Sequence, residues 1–265
     1  MSPQPYRQVQ AAFLKSDASH GLAGRAGISV IRLDLGGILA VACLSHLGYR
    51  MVGVDLDAER VKDLEGGWQA TTDPRLETLL WEGASSGQIR ATQNLIAAVL
   101  DTDMTLISMG ARATGTDGMR RTAAAIGQAL AMKAGFHVVV LRAPVAPGAT
   151  LGTLAPAIER TSGKRAGFDF GLCLMPEFGR HPTTVMHFFS PSRTVIGCSD
   201  ARTSALVASV FEQIDDKLRR TSIETAEMVV HAERKWQATR QAFSDEIAQL
   251  SDLLEQFPLD LGRDP

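Results

Sequence analysis

From residue 28 onward, short apolar runs alternate with longer stretches in which apolar residues recur every three or four positions. The run 28–31 reads as a strand and 37–47 as an apolar helix. A second run, 51–56, reads as another strand and leads into a helix through Leu64. Such a strand–helix–strand unit has about the length a parallel crossover needs. Further strands are predicted at 104–109, 136–141, 170–174 and 194–196, with helices near 119–133, 150–160 and 201–215. Strands alternating with helices imply an α/β fold, a doubly wound parallel sheet covered on both faces.

The last element has a different character. From Thr221, apolar or small residues recur at Val229, Ala232, Trp236, Thr239, Phe243, Ile247, Leu250, Leu254 and Phe257. These steps of three and four predict one long C-terminal helix over 221–257. Thr221 with Glu224 can form a capping box, and Pro258 marks the stop. At 1.5 Å per residue such a helix is about 50 Å long and outruns the domain it starts from. Its stripe needs another surface, either a further domain or a second subunit, and a homodimer or hetero-oligomer through 221–257 is expected.

Composition narrows the partners. A formal charge of -2 gives no basic footprint for nucleic acid. No apolar run approaches the ~18 residues that cross a bilayer. Residues 1–27 carry charges and glycines but no hydrophobic core of a secretory signal, so a soluble cytoplasmic protein is expected. Cys43, Cys173 and Cys198 are odd in number and sit in apolar stretches, which predicts reduced, buried thiols. No metal site is expected.

The turn after the first strand carries the candidate chemistry. A dinucleotide-binding unit places G-x-G-x-x-G there, so that backbone N–H groups reach a pyrophosphate at the helix N-terminus. Here the six positions are Arg32, Leu33, Asp34, Leu35, Gly36 and Gly37. Only Gly37, the helix-packing glycine, keeps its place. Arg32 brings bulk, and Asp34 puts a carboxylate where phosphate charge would lie; as an anion at a helix N-terminus it can fill that site itself. Asp55, ending the second strand, stands where an acid binds the adenosine ribose, and Arg60 can flank the adenine. The plainer alternative is that Asp55 and Asp57 cap the next helix. The chain divides into a flexible tail (1–27), an NAD-binding-like Rossmann domain (28–219), the long helix (220–257) and a short tail (258–265).

With the loop aligned, several segments fall into one order. They are Gly53 to Asp57, Asp101 with Asp103, Val140 to Arg142 leading to Pro147 and Gly148, and the run from Ser162 to Gly171. Then come Pro176, Glu177, Phe178 and Arg180, the run from Thr194 to Gly197, and Glu224, Glu227 and Met228 with Trp236, Phe243 and Glu246. In this order they resemble the sugar-nucleotide 6-dehydrogenases, the GDP-mannose branch more than the UDP-glucose branch. The resemblance runs from about Ile28 to about Leu250. It implies NAD as cofactor, a sugar nucleotide as substrate, and two-step oxidation of the sugar C6 alcohol to a carboxylate. It also implies a cysteine that captures the aldehyde, a lysine and an asparagine that steady the oxyanion, and a glutamate in general-base and hydrolysis roles.

Carried over residue by residue, much of that apparatus is replaced. Glu177 keeps the glutamate, with Phe178 and Arg180 beside it as substrate contacts. Val230 stands at the lysine, Arg234 at the asparagine, and Ala143 and Pro144 at a Ser-Thr pair. Gly110 to Arg112 replaces a Gly-Thr-Pro loop, and His181 a second acid. No cysteine of this chain aligns with the nucleophile, whose segment belongs beyond the long helix. Read without the resemblance, Glu177 is a strand-end carboxylate and His181 an exposed loop histidine. The leading reading is a truncated, impaired relative (a pseudoenzyme) acting as a binding or assembly subunit, with weak or absent NAD binding. The runner-up is a two-electron NAD-dependent oxidoreductase acting on a CH–OH group of a sugar nucleotide through Glu177. The N-terminal part of a longer enzyme ranks third, because it leaves Arg32, Asp34, Val230 and Arg234 unexplained.

Overall fold

The computed structural model describes residues 26–68, 71–109, 116–176 and 184–256. In chain order the elements are β1 (Gly27–Ile31), α1 (Leu35–His46), β2 (Arg50–Val54), α2 (Ala58–Glu65), α3 (Pro74–Ser85), β3 (Ile89–Thr92), α4 (Leu95–Asp101) and β4 (Met104–Ser108). They continue with α5 (Thr116–Met132), β5 (Val138–Arg142), α6 (Ala155–Ser162), β6 (Gly171–Leu174) and α7 (Val185–Phe189). The last are β7 (Val195–Cys198), α8 (Ala201–Phe211), β8 (Arg219–Thr221) and α9 (Ile223–Gln256).

The strands form one eight-stranded sheet in the order β3-β2-β1-β4-β5-β6-β7-β8. Strands β1, β4 and β5 are buried along their whole length, because helices cover both faces. Alternate residues feed two cores: Ile28, Val30, Leu106 and Val140 meet α1, α3 and α8, while Ile31, Ile107, Val139 and Leu141 meet α4, α5 and α6. The doubly wound α/β architecture and the long final helix are as the pattern predicts.

Five expectations are corrected. The predicted tail 1–27 reaches too far, since Ala26 is buried and Gly27 opens β1; residues 1–25 lie outside the described residues. The sheet is not wholly parallel, since β7 runs antiparallel to β6. The crossover between them holds only the five-residue α7 among the described residues. The elements α3, β3, α4, α7 and β8 had no predicted counterpart. Finally, Thr221 ends β8 and so cannot cap the long helix; Ser222 Oγ accepts the Thr225 N–H at 3.2 Å instead. The predicted helix 150–160 is a π-helical turn, Thr150–Leu154, running into α6. Pro156 lies in the first turn of α6 and has no N–H to continue the regular ladder.

The 34 residues of α9 span about 50 Å. Only its start docks: Ile223, Ala226, Glu227 and Val230 are buried against the sheet domain. Gly197 of β7 lets it come close, since a Cβ there would lie 2.7 Å from the Ala226 Cβ and 2.5 Å from the Ser222 carbonyl oxygen. Farther along, Trp236, Phe243, Ile247 and Leu250 are 60%, 63%, 47% and 50% exposed. Ala232 and Thr239 are exposed too, and Val229 is half-buried. The side chain of Leu254, all of Phe257 and the predicted tail 258–265 lie outside the described residues.

Candidate functional site

Sheet order sets the place. Strand β1 pairs with β2 on one side and β4 on the other, so the chain leaves β1 and β4 in opposite directions and opens a crevice beyond their carboxyl ends. The turn from Arg32 to Gly37 forms one wall, and Ser108, ending β4, stands on the other.

Arg32 adopts φ 74°, the one left-handed non-glycine residue among those described. Its N–H donates to the Val54 carbonyl at 2.7 Å, which holds the turn to the end of β2. The backbone has thus kept a glycine conformation under an arginine side chain, at a cost of about 1–2 kcal/mol. Gly37 is obligatory for a steric reason: a Cβ on it would lie 2.0 Å from the Arg32 carbonyl oxygen. The close approach of helix to turn survives although two glycines do not.

Asp34 is the N-cap of α1. Its Oδ1 accepts the Gly37 N–H at 3.0 Å and the Ser108 hydroxyl at 2.9 Å. The carboxylate therefore bridges the crevice and takes up a helix N-terminal N–H of the kind a phosphate would use.

The adenosine end is better kept. Asp55 accepts the Leu33 N–H at 2.8 Å and the Asp57 N–H at 3.1 Å, with the Arg60 guanidinium at 3.5 Å. Burial raises its pKa, but these hydrogen bonds and Arg60 outweigh burial and hold the carboxyl below its usual range. Asp57, not Asp55, caps α2 by accepting the Glu59 N–H at 2.9 Å. The capping alternative therefore holds for Asp57 and not for Asp55. Arg60 is half-exposed and pairs with both carboxylates. An acid at Asp55 suits the ribose hydroxyls of NAD, whereas a carboxylate at Asp34 does not suit its pyrophosphate.

The other wall is built after β5. Glu227 of α9 is buried, and its two oxygens accept the Gly148 N–H at 2.6 Å and the Thr150 N–H at 2.8 Å. Gly148, at φ +84°, supplies the left-handed turn this requires. Val230 is buried, an apolar side chain at the position the resemblance assigns to a lysine. Arg234 Nη1 donates to the Pro144 carbonyl at 3.3 Å, so the residue at the asparagine position is tied to the loop after β5. Glu177, Phe178, Arg180 and His181 lie outside the described residues, as do Gly110, Ala111 and Arg112. Ser108 and Glu227 are the participants that the sequence reading left without a role. Only the strand order brings Ser108 to Asp34, while Glu227 already stood in the aligned motif.

Comparison with known proteins gives a consistent answer. Residues 26–215 match the UDP-glucose/GDP-mannose dehydrogenase family, NAD binding domain. The chain is 34% identical over 229 residues to the GDP-mannose 6-dehydrogenase of Azotobacter vinelandii, covering 84% of this chain and 52% of that protein. It superposes on GDP-mannose dehydrogenase from Pseudomonas aeruginosa, solved as a ternary complex, with a TM-score of 0.77 at 31% identity, over 89% of this chain and 58% of that one. A UDP-glucose dehydrogenase from Pyrobaculum islandicum superposes with a TM-score of 0.78 at 28% identity, over 92% and 59% of the two chains. The chain spans about half the length of the curated GDP-mannose relatives it matches.

Proposed function

Because the chain belongs to the UDP-glucose/GDP-mannose dehydrogenase family, we propose that it is an impaired member, a pseudoenzyme acting as a binding or assembly subunit. The observation that carries this reading is the Asp34 carboxylate, held between the Gly37 N–H and the Ser108 hydroxyl. Bringing a pyrophosphate to that N-terminus requires breaking both bonds and placing like charges together. Weak or absent NAD binding follows, although the family's domain is an NAD-binding one.

The oxyanion side supports the same reading. A buried Val230 offers no cation or donor for an alkoxide, and losing one oxyanion donor costs roughly 3–4 kcal/mol of barrier. When bound, NAD would accept the hydride, but the Asp34 carboxylate does not fit its pyrophosphate end. Among the described residues, Asp55 would hold the ribose, and Gly37 would keep helix and turn in contact.

The chain is further proposed to act in the cytoplasm and to associate through α9, with a second copy of itself as the partner. The exposed Trp236, Phe243, Ile247 and Leu250 support that association. Among the described residues no helix is long and apolar enough to cross a membrane.

A second reading has its own support in the retained geometry of Asp55. It is a two-electron NAD-dependent oxidoreductase acting on a CH–OH group of a sugar nucleotide, with Glu177 as base and Phe178 and Arg180 as substrate contacts. Steady-state assay of the purified chain with NAD and GDP-mannose or UDP-glucose separates the two. No NADH is expected; NADH production that disappears in Glu177→Gln would establish the second reading.

A further inference from the structure

The only antiparallel pairing among the described strands joins β6 to β7, and it sets two cysteines opposite each other. Cys173 pairs in register with Cys198, and Leu174 with Gly197. The Ser199 N–H donates to the Leu172 carbonyl at 2.8 Å, so the neighbouring pair is a hydrogen-bonded one. Hydrogen-bonded and non-hydrogen-bonded pairs alternate along an antiparallel ladder, which makes Cys173 and Cys198 a non-hydrogen-bonded pair. In such a pair the Cα atoms are about 4.5 Å apart and the side chains closest. That separation lies within the range a disulfide spans. The two Sγ atoms are 3.2 Å apart, as free thiols. Cys173 is fully buried; Cys198, half-buried, is the one a reagent reaches first.

We propose that Cys173 and Cys198 are a redox-active pair whose reversible disulfide clamps β7, and with it the base of α9, to the parallel part of the sheet. The oxidant is a peroxide. Cys198 gives up its proton and attacks one peroxide oxygen as the thiolate; the O–O bond breaks, a sulfenic acid forms, and the departing hydroxide takes up that proton as the first water. Cys173 sulfur then attacks the Cys198 sulfur, the S–S bond forms and the S–O bond breaks. Hydroxide leaves with the Cys173 proton as the second water. Two thiols lose two electrons, and one peroxide is reduced to two waters. Burial, followed by contact with Cys198, keeps the Cys173 thiol protonated, so Cys198 meets the peroxide first and Cys173 brings the proton that leaves with hydroxide. Cys43 takes no part. It lies buried in α1, where burial raises its pKa well above the ordinary thiol range.

The clamp acts on a weak joint. β6 and β7 share two register pairs, yet β7 carries Gly197, against which α9 is seated. The cross-link would close a loop of 25 residues.

The test uses the whole purified chain treated with hydrogen peroxide, then unfolded, alkylated and weighed. The expected product is about 2 Da lighter before alkylation and keeps a single alkylatable thiol, with Cys173 and Cys198 joined in the non-reducing peptide map. Its melting temperature should rise by roughly 5–10 °C and fall back with dithiothreitol. Cys173→Ala should stall as a sulfenic or sulfinic acid on Cys198, gaining about 16 or 32 Da. Three alkylatable thiols after treatment, sulfinic acid on Cys198 of the unsubstituted chain with Cys173 still free, or a link to Cys43 would each overturn the pair. A disulfide that leaves the melting temperature unchanged would overturn the clamp.

Discussion

Lowering the pH should destabilise this protein well before its carboxylates titrate, and the cause is His137. This side chain is fully buried between two strands. Its Nε2 lies 2.8 Å from Thr105 Oγ1 and its Nδ1 3.0 Å from the Thr102 carbonyl oxygen. Nδ1 therefore donates to the carbonyl while Nε2 accepts from the hydroxyl, which is the neutral ring. Thr105 Oγ1 in turn lies 2.7 Å from Ser29 Oγ, which lies 3.1 Å from Thr102 Oγ1, so the ring belongs to a buried chain of hydroxyls. Burial, helped by the nearby Lys133 ammonium, pushes the imidazole down to about 3. The unfolded chain holds a histidine near 6.5. A depressed folded value means that stability is complete above pH 6.5 and is lost as pH falls toward 3. At pH 5 the unfolded ring is already protonated and the folded one is not, so the loss is about 1.5 pH units, or roughly 2 kcal/mol. Urea unfolding at pH 7.5 and pH 5 reads this directly, with His137→Gln as the comparison that removes the titration. Equal unfolding free energies at the two pH values, or the same pH slope in His137→Gln, would refute the reasoning.

Two further outcomes test other parts of the account. Gly37→Ala must push the α1 N-terminus off the Arg32 carbonyl and should cost at least about 2 kcal/mol, checked by thermal melting; a loss within ~0.5 kcal/mol would contradict the 2.0 Å approach. Burying side chains such as Trp236 and Phe243 is worth ~1.5–3 kcal/mol each. Light scattering at tens of micromolar should therefore give a dimer that Trp236→Glu with Phe243→Glu converts to monomer; a monomer before substitution would remove the proposed interface.

The α/β architecture could be read from the sequence because both faces of the sheet are covered, which leaves β1, β4 and β5 as mainly apolar runs broken only by Ser29, Thr105, Ser108 and Arg142. The run of α9 followed from its stripe, but its start did not, since Thr221 belongs to β8 and the helix begins at Ile223. The region from residue 66 to 103 was not legible, since β3 is a four-residue strand, α3 carries mixed faces, and α4 is a seven-residue apolar run that periodicity alone does not separate from a strand. Its best local signals, Asp73 before Pro74 and Asn94, are caps whose meaning depends on a helix already suspected. Asp34 was read correctly as an anion at a helix N-terminus, because capping is local. Its second partner, Ser108, is 74 positions away and depends on which strand lies beside β1. The same limit hid the Cys173–Cys198 pair, since an antiparallel β7 changes the register on which the contact depends. Arg32 looked like an obstruction in sequence; in the structure the backbone beneath it keeps the glycine path.

The central claim is that the chain's own carboxylate stands where the cofactor's pyrophosphate would bind, and a calorimetric titration with NAD tests it most directly. The unsubstituted chain should bind with a Kd weaker than about 1 mM, less than ~4 kcal/mol of binding energy. Arg32→Gly combined with Asp34→Gly should recover measurable affinity. Micromolar NAD binding by the unsubstituted chain would contradict the account.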